Sequence, residues 1–432
     1  METSIIYKCF EECGVVTTDS RHCPMGSMFV ALKGETFNGN AFAKQALEKG
    51  CRYVMIDEKE YAEEGDSRFL LVDDCLKALQ DLANEHRRRL GTRIVGITGT
   101  NGKTTTKELI ATVLQQKYNV LYTQGNLNNH IGVPLTLLRL KKEHELAVIE
   151  MGANHPGEIR TLVHIVEPDC GLITNVGKAH LEGFGSFDGV IKTKGELYDY
   201  LRTREDALVF LDKDNEILCQ ISKGMKVKGY GVDNHEDLFV KGNLGACAPF
   251  LAFEWECNGR SYEVSTHLIG SYNIKNALAA IAVGCYFGVP ETSICTALSD
   301  YIPSNNRSQL TETDRNKLIV DAYNANPTSM AAALENFRLM DVPHKMVILG
   351  DMKELGKSSL EEHQKVLLQL EECAFERVIL VGSEFGRAGS SYEHYLNVDE
   401  VKVMVETEKL QGKYILIKGS NSMKLSQLKD IL

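Results

Sequence analysis

A glycine-rich segment followed by Lys-Thr is the part of the sequence best suited to phosphate chemistry. It follows an apolar run at residues 94–97 and consists of Thr98, Gly99, Thr100, Asn101, Gly102, Lys103, Thr104 and Thr105. Glycines let backbone N–H groups surround phosphate oxygens, and a helix N-terminus adds partial positive charge. Lys103 could reach the β- and γ-phosphates of a nucleotide, and the Thr104 hydroxyl could bind Mg²⁺. The segment therefore predicts nucleotide binding.

The spacing of this loop differs from the usual phosphate loop, because five residues rather than four separate Gly96 from Gly102. An ordinary strand-to-helix turn that happens to contain glycine and lysine is the alternative interpretation. We prefer nucleotide binding, because Gly-Lys-Thr opens a predicted helix directly after an apolar strand.

The segments around this loop are predicted to be alternating strands and helices, an arrangement that places such a loop between a strand and a helix. From residue 93 onward, short apolar runs alternate with amphipathic segments, which is typical of βαβ units around a parallel sheet. Strands are predicted at residues 94–98, 120–123, 146–151, 171–176 and 208–211. Alternating residues after position 230 predict a small antiparallel appendage, and a helix is predicted at 272–287. The central part is therefore expected to be a doubly wound, phosphate-loop-type sheet.

Two polar segments divide the chain. The basic, glycine-terminated run at 84–91 predicts a helix end and a boundary near residue 90, and a segment rich in proline, serine and asparagine follows residue 301. Further strands are predicted at 318–322, 346–349, 378–381 and 414–417. We therefore predict an α/β protein of three domains, at residues 1–90, 91–302 and 303–432, the last one Rossmann-like.

Composition narrows the class of protein. The 432 residues are 43% hydrophobic and 25% charged, and the net charge of −11 argues against nucleic acid or an anionic membrane as a partner. Twelve cysteines without a CxxC pair indicate reduced, mostly buried thiols in the cytoplasm. No membrane insertion is expected, because no export leader is visible and the longest near-apolar stretch, residues 277–290, is short.

Several motifs resemble one enzyme family. Residues 98–105, TGTNGKTT, resemble the phosphate loop of Mur ligases and folylpolyglutamate synthases. Four further segments are similar to the D-alanyl-D-alanine-adding Mur ligases: QGNLNNHIGVPLTLL from residue 124, EMGANHPGEI from 150, DAYNANPTSM from 321 and LGDMKELG from 349. The Asp-Asn-Pro-Arg tetrapeptide typical of the diaminopimelate-adding members is absent. The resemblance spans nearly the whole chain.

This resemblance implies a cytoplasmic, monomeric ligase that adds D-alanyl-D-alanine to UDP-N-acetylmuramoyl-tripeptide in peptidoglycan synthesis. ATP would activate the tripeptide carboxylate as an acyl phosphate, and ADP and phosphate would be released. A UDP-binding first domain, a central ATPase domain and an acceptor-binding third domain are implied. A sister ligase with another acceptor, and a nucleotide-dependent regulatory protein without ligase activity, are the alternatives.

The resemblance also implies the catalytic residues, which are Lys103, Glu150, His180 and Lys194. Mg²⁺ would be held by Thr104, Glu150, His180 and Lys194, and Lys194 matches a lysine that is carbamylated in the family. From the residues alone, Glu150 could be a helix cap or solvated strand end, His180 a structural histidine and Lys194 a solvated helix lysine. Lys192, two positions earlier, is the alternative match to the carbamylated lysine of the family.

The remaining site residues implied by the resemblance would contact the three substrates. For ATP they are Asn273 and Asn276 near adenine, Arg307 at the phosphates and Asp321 at the ribose, although Asp321 alone could be a strand-end cap. For the UDP-linked substrate they are Ser20, Arg21, Asn126 and Asn129. For the acceptor dipeptide they are Asn324 and Asn326. Asn38-Gly39-Asn40 departs from the usual Asp-Gly-His of the first domain.

Overall fold

The computed structural model describes residues 1–233, 237–247, 249–303 and 309–432. The strands in these ranges form three sheets, of four, nine and six strands, with helices packed on them. The predicted mixed α/β fold with three sheets is confirmed. The first sheet ends at Leu71, the second spans residues 93–269 and the third begins at Gln309. The domain boundaries near residues 90 and 302 stay a prediction.

The first sheet is parallel, and its four strands lie in chain order. They are β1 (Val16–Thr17), β2 (Met28–Val30), β3 (Tyr53–Ile56) and β4 (Phe69–Leu71), with helices α1 (Thr3–Cys13), α2 (Ala43–Glu48) and α3 (Cys75–Leu90). Helix α3 begins after Asp74, which caps it, and ends at Gly91, whose φ of 67° favours glycine. The predicted helix end at 84–91 is confirmed.

Helix α3 attaches the first unit to the central one. Arg87 is buried and donates from Nε to the Val166 carbonyl at 2.9 Å. His86 Nε2 donates to the Leu140 carbonyl at 2.9 Å, so its Nδ1 accepts from Tyr7 Oη at 3.0 Å. Burial lowers the pKa of His86, which favours this neutral form. Buried residues of the first unit and of one face of the central sheet form one continuous core.

The central sheet has the strand order β13-β12-β11-β10-β9-β8-β5-β7-β6. Its strands are β5 (Arg93–Thr98), β6 (Val120–Tyr122), β7 (Leu146–Glu150), β8 (Cys170–Ile173), β9 (Leu208–Asp212), β10 (Val227–Gly231), β11 (Val240–Cys247), β12 (Phe250–Cys257) and β13 (Arg260–Ile269). The helices are α4 (Lys103–Leu114), α5 (Gly132–Leu137), α6 (Glu158–Val166), α7 (Leu181–Phe184), α8 (Phe187–Arg202), α9 (Glu216–Ile221), α10 (Asn273–Tyr286) and α11 (Glu291–Asp300).

The central sheet is covered on both faces, which explains its apolar strands. Ile94 belongs to the core under α6 and α8, whereas its neighbour Val95 belongs to the core under α4 and α10. The predicted antiparallel strands are β11, β12 and β13. They extend the central sheet, because β11 pairs in parallel with β10, and β12 and β13 follow in antiparallel pairing.

The third sheet has the order β14-β15-β19-β16-β17-β18, parallel except for the edge strand β14. Its strands are β14 (Gln309–Glu312), β15 (Lys317–Asp321), β16 (Lys345–Gly350), β17 (Arg377–Val381), β18 (Glu393–Tyr395) and β19 (Tyr414–Lys418). Its helices are α12 (Pro327–Leu339), α13 (Ser359–Cys373), α14 (Ser383–Ala388) and α15 (Val398–Glu408). Two cores on opposite faces make this unit Rossmann-like.

All twelve cysteines lie in the described ranges and are free thiols. Five of these cysteines are buried and seven are half-buried. The expectation of mostly buried thiols is therefore wrong for seven of the twelve. Within the same ranges, every helix is too short or too polar to cross a bilayer.

Candidate active site

The glycine-rich loop joins β5 to α4 in the middle of the central sheet. Gly99 has φ of 144°, and a Cβ there would lie 2.0 Å from Thr174 Oγ1, so only glycine fits. Gly102, with φ of 77°, precedes the first turn of α4. Lys103 Nζ donates to the carbonyls of Gly99 at 2.8 Å and Thr100 at 2.9 Å. The loop therefore positions an ammonium group and a helix N-terminus together, as phosphate binding requires.

Glu150 is the last residue of β7 and is almost completely buried. Its carboxylate accepts from Thr104 Oγ1 at 3.0 Å and from Asn128 Nδ2 at 2.8 Å, while its own N–H donates to Thr123 Oγ1 at 3.0 Å. The fully buried Lys107 Nζ lies 3.8 Å from Glu150 Oε2. The alternatives of a helix cap or a solvated strand end are therefore wrong for Glu150.

Thr104 and Glu150 bring together a hydroxyl and a carboxylate oxygen, which are the types of ligand that Mg²⁺ prefers. Mg²⁺ prefers oxygen ligands and usually takes one or two carboxylates together with substrate phosphates and water. Across the described residues, no group of three or more histidine, cysteine, aspartate or glutamate side chains could hold a metal ion. Mg²⁺ binding by Thr104 and Glu150 stays a prediction.

Lys194 lies in α8 and is buried, whereas Lys192 is exposed. Its Nζ donates to the Ala153 carbonyl at 3.1 Å. Burial, and then the positive charge of Lys103, lower the pKa of Lys194 well below its ordinary value. The interpretation as a solvated helix lysine is therefore wrong. A neutral amine is the form that can react with CO₂, and carbamylation stays a prediction.

His180 precedes the short helix α7 in the left-handed conformation, with φ of 50°. Its Nδ1 contacts the carboxylate of Glu354, which belongs to the third unit. Burial lowers the pKa of His180, and the negative charge of Glu354 opposes this effect. Sequence reasoning did not single out Glu354, although it lies in the quoted segment that begins at residue 349.

Asn273 and Asn276 lie on one face at the start of α10, as their spacing predicts. Asn276 Nδ2 donates to Asn273 Oδ1 at 2.7 Å, and Asn276 Oδ1 accepts from Thr106 Oγ1 at 3.0 Å. A Cβ at Gly102 would lie 2.7 Å from Asn276 Oδ1. The Asn276 amide therefore stands directly against the phosphate loop, and Asn273 holds it from the other side.

The third unit contributes residues from β15 and the start of α12. Asp321 Oδ2 accepts from the buried Lys418 Nζ at 2.6 Å, which also donates to the Asn324 carbonyl at 3.3 Å. Asn326 caps α12, and its Nδ2 donates across the units to Asn101 Oδ1 at 2.7 Å. Asp321 is thus an ion-pair partner rather than only a strand-end cap.

One cavity of about 1000 Å³ joins all three units. Leu76 and Gln80 of α3 line it from the first unit. The predicted site residues that line it are Thr100, Asn101, Gly102, Lys103, Thr104, Thr105, Asn126, Asn129, Glu150, His180, Asn273, Asn276, Asp321, Asn324 and Asn326. Asn128, which lines it too, was missed, although it stands beside Asn129 in a quoted motif.

Other predicted residues lie away from this lining. Ser20 is buried in the first unit, and the exposed Arg21 side chain pairs with Asp19, where Nε and Oδ1 are 2.9 Å apart. Thr98, Gly99 and Lys194 do not line the cavity either, although Lys194 donates to the carbonyl of Ala153, which does. Arg307 lies outside the described residues.

The sequence matches three family models that together cover most of the chain. They are described as "Mur ligase family, catalytic domain" at residues 13–87, "Mur ligase middle domain" at 97–284 and "Mur ligase, glutamate ligase domain" at 306–421. A UDP-N-acetylmuramoyl-tripeptide–D-alanyl-D-alanine ligase of Bacillus subtilis is 35% identical over 429 residues, which is 96% of this chain and 93% of the relative. The chain belongs to the Mur ligase family.

Solved structures also support the membership of this chain in the Mur ligase family. MurF from Acinetobacter baumannii superimposes with a TM-score of 0.87 at 30% identity, with 96% of this chain and 92% of that chain covered. The MurF ligase from Thermotoga maritima, solved in complex with ADP, gives 0.83 at 25% identity, with 96% of each chain covered. The three-unit architecture of this Mur ligase is therefore that of MurF structures.

Proposed function

We propose that this Mur ligase joins D-alanyl-D-alanine to UDP-N-acetylmuramoyl-tripeptide in an ATP-dependent reaction that releases ADP and phosphate. The product is the UDP-muramoyl-pentapeptide of peptidoglycan synthesis. The cavity of about 1000 Å³ that joins the phosphate loop and Glu150 to Asp321, Asn324 and Asn326 of the third unit carries the proposal. Relatives named for this reaction support the substrates, among them the Bacillus subtilis protein and an Escherichia coli protein 36% identical over 96% of this chain.

Amide formation from a carboxylate needs activation, and phosphoryl transfer from ATP gives an acyl phosphate that an amine can attack. Such transfer depends on positioning and charge neutralisation rather than on a covalent protein nucleophile. Lys103 supplies a cation at the phosphates, and Thr104 with Glu150 would hold Mg²⁺. When bound, Mg²⁺ neutralises charge on phosphate oxygens. The chain therefore orients the donor carboxylate and the terminal phosphate at the N-terminus of α4.

The two peptide substrates would meet at this point from opposite sides. We assign the UDP end of the donor to the first unit around Ser20 and Arg21, and its route into the cavity to Asn126 and Asn129. Gln80 Nε2 of α3 donates to the His130 carbonyl at 3.1 Å, which ties the first unit to this route. The acceptor dipeptide would enter against Asn324 and Asn326 of the third unit.

We assign the protein to the cytoplasm, because ATP and a nucleotide-linked donor are its substrates. The net charge of −11 gives it no overall attraction to nucleic acid. We propose a monomer, as the resemblance to the family implies.

Lys194 is expected to carry a carbamate near neutral pH. Burial, and then the positive charge of Lys103, lower the pKa of Lys194, which raises the fraction of neutral amine that can react with CO₂. Carbon-13 NMR with labelled bicarbonate should show a carbamate signal at pH 7.5. The signal should disappear in Lys194→Ala and persist in Lys192→Ala. A signal that depends on Lys192 instead would contradict the assignment.

The acceptor is tested by measuring ADP release with the UDP-linked tripeptide and Mg²⁺. We expect turnover with D-alanyl-D-alanine and background rates with D-glutamate, L-lysine or meso-diaminopimelate. Turnover with one of the single amino acids would leave the proposed acyl-phosphate mechanism unchanged, but it would identify the protein as a sister ligase with another acceptor. Tight nucleotide binding without turnover on any acceptor would instead favour a regulatory protein.

A further inference from the structure

The central and third units contact each other at His180, a residue with an expected role in the reaction. His180 Nδ1 contacts the Glu354 carboxylate, and the Glu182 N–H donates to the Glu354 carbonyl at 3.3 Å. Glu354 lies on the loop between β16 and α13, and its φ of 63° is unusual for a residue other than glycine. The third unit thus holds both the ring of His180 and the first turn of α7.

The loop that presents Glu354 is anchored from behind. Asp351 is completely buried, and its carboxylate accepts from the backbone N–H groups of residues 384 and 385 at 3.1 and 3.0 Å. The buried His363 accepts from the Met352 N–H at 3.1 Å. Buried polar groups that are hydrogen-bonded in this way keep a backbone in one conformation. Glu354 is therefore presented by a rigid support.

The same region of the central unit is held at a second point. Lys178 Nζ lies 3.0 Å from Glu362 Oε1, whose side chain is buried on α13. Residues 178–182 are therefore attached to the third unit both by this ion pair and by Glu354. If the third unit moved away, both contacts would be lost together.

A carboxylate at one ring nitrogen of histidine decides what the other nitrogen can do. When Nδ1–H donates to a carboxylate, the proton is fixed there, and Nε2 keeps its lone pair in a fixed direction. Histidines that bind metals are commonly oriented in this way by a carboxylate. His180 also lines the cavity that contains Thr104 and Glu150. The orienting carboxylate here comes from a different unit of the protein.

We propose that Glu354 is a positioning residue of the ligation reaction that acts through His180, so that His180 is ready to bind Mg²⁺ only when the third unit is docked. This proposal rests on the proposed function and adds to it. It makes completion of the metal site depend on the unit that brings the acceptor.

Kinetics of single and double variants test the coupling. Glu354→Ala should lower kcat by about 10- to 100-fold, with a KM for ATP close to that of the unmodified protein. In a His180→Ala background, Glu354→Ala should cause no further loss, because its effect passes through the ring. Glu361→Ala is the matched control, because this exposed residue pairs with Lys365 on its own helix. Losses that multiply in the double variant would overturn the proposal.

Metal binding gives a readout that is independent of turnover. With Mn²⁺ and ADP bound, pulsed electron paramagnetic resonance should detect a nitrogen ligand that disappears in His180→Ala. Glu354→Ala should weaken this signal and lower Mn²⁺ affinity, and Glu354→Gln should have a smaller effect, because an amide oxygen still accepts a hydrogen bond. Glu354→Gln also serves if the alanine variant does not fold. Unchanged Mn²⁺ affinity and an unchanged nitrogen signal in both variants would overturn the proposal. If the unmodified protein ligates no acceptor while Mn²⁺ binding still depends on Glu354, the proposed function fails and the positioning role stands.

Discussion

Lys103→Ala is expected to lower kcat for ADP release by about 10³-fold, equivalent to about 4 kcal/mol of transition-state stabilisation. The ammonium group already lies within the loop, where it donates to the carbonyls of Gly99 and Thr100. In the proposed reaction it would neutralise the transferring phosphoryl group without a large rearrangement. Alanine leaves the loop and the helix N-terminus in place, so the fold should survive.

The measurement is steady-state ADP release with the UDP-linked tripeptide and D-alanyl-D-alanine at saturating Mg²⁺. Lys142→Ala, at an exposed position after α5, serves as the control and should retain full activity. Retention of more than a tenth of kcat in Lys103→Ala would show that Lys103 does not act on the phosphates.

Glu150→Gln is expected to lower kcat by about 10²- to 10³-fold at ordinary Mg²⁺ concentrations and to raise the Mg²⁺ concentration needed for half-maximal rate. An amide is a much weaker Mg²⁺ ligand than a carboxylate. The change also removes one acceptor from a site where both Thr104 and Asn128 donate, and it removes a negative charge near Lys107. We therefore also expect a loss of about 1–3 kcal/mol of stability.

A Mg²⁺ titration of the rate, with thermal unfolding measured in parallel, separates the two effects. Glu145→Gln is the matched control, because this exposed glutamate immediately precedes the other end of the same strand, β7. If Glu150→Gln kept the Mg²⁺ dependence of the unmodified protein and lost only stability, Glu150 would be structural and the metal assignment would be wrong.

Strands that carry the site could be predicted because they are covered on both faces. The predictions at 94–98 and 146–151 correspond to β5 and β7, which are buried at almost every position. The edge strands β14 and β18 were missed, because they are short and at most half-buried and lack a continuous apolar run. Alternation predicted antiparallel strands after residue 230, but it carries no information about which edge they join.

The phosphate loop could be predicted because its chemistry is local. Residues 98–105 are adjacent in sequence and in space, and glycine, lysine and threonine each have a recognisable role there. The contacts of Glu150 could not be predicted without the fold, because its partner Asn128 is 22 residues away in sequence and Thr104 is 46 residues away. The burial of Lys107 and Lys194 was invisible, because a lysine within a helix usually points to solvent.

The sequence by itself therefore determined the fold class, the order of the elements and the types of side chain available for ligation chemistry. These depend on periodicity and on short motifs. Only the tertiary structure decided which charges face one another. The contact between His180 and Glu354 joins residues 174 positions apart, and the lowered pKa of Lys194 follows from burial. Both are products of packing between elements, and no local pattern of residues specifies them.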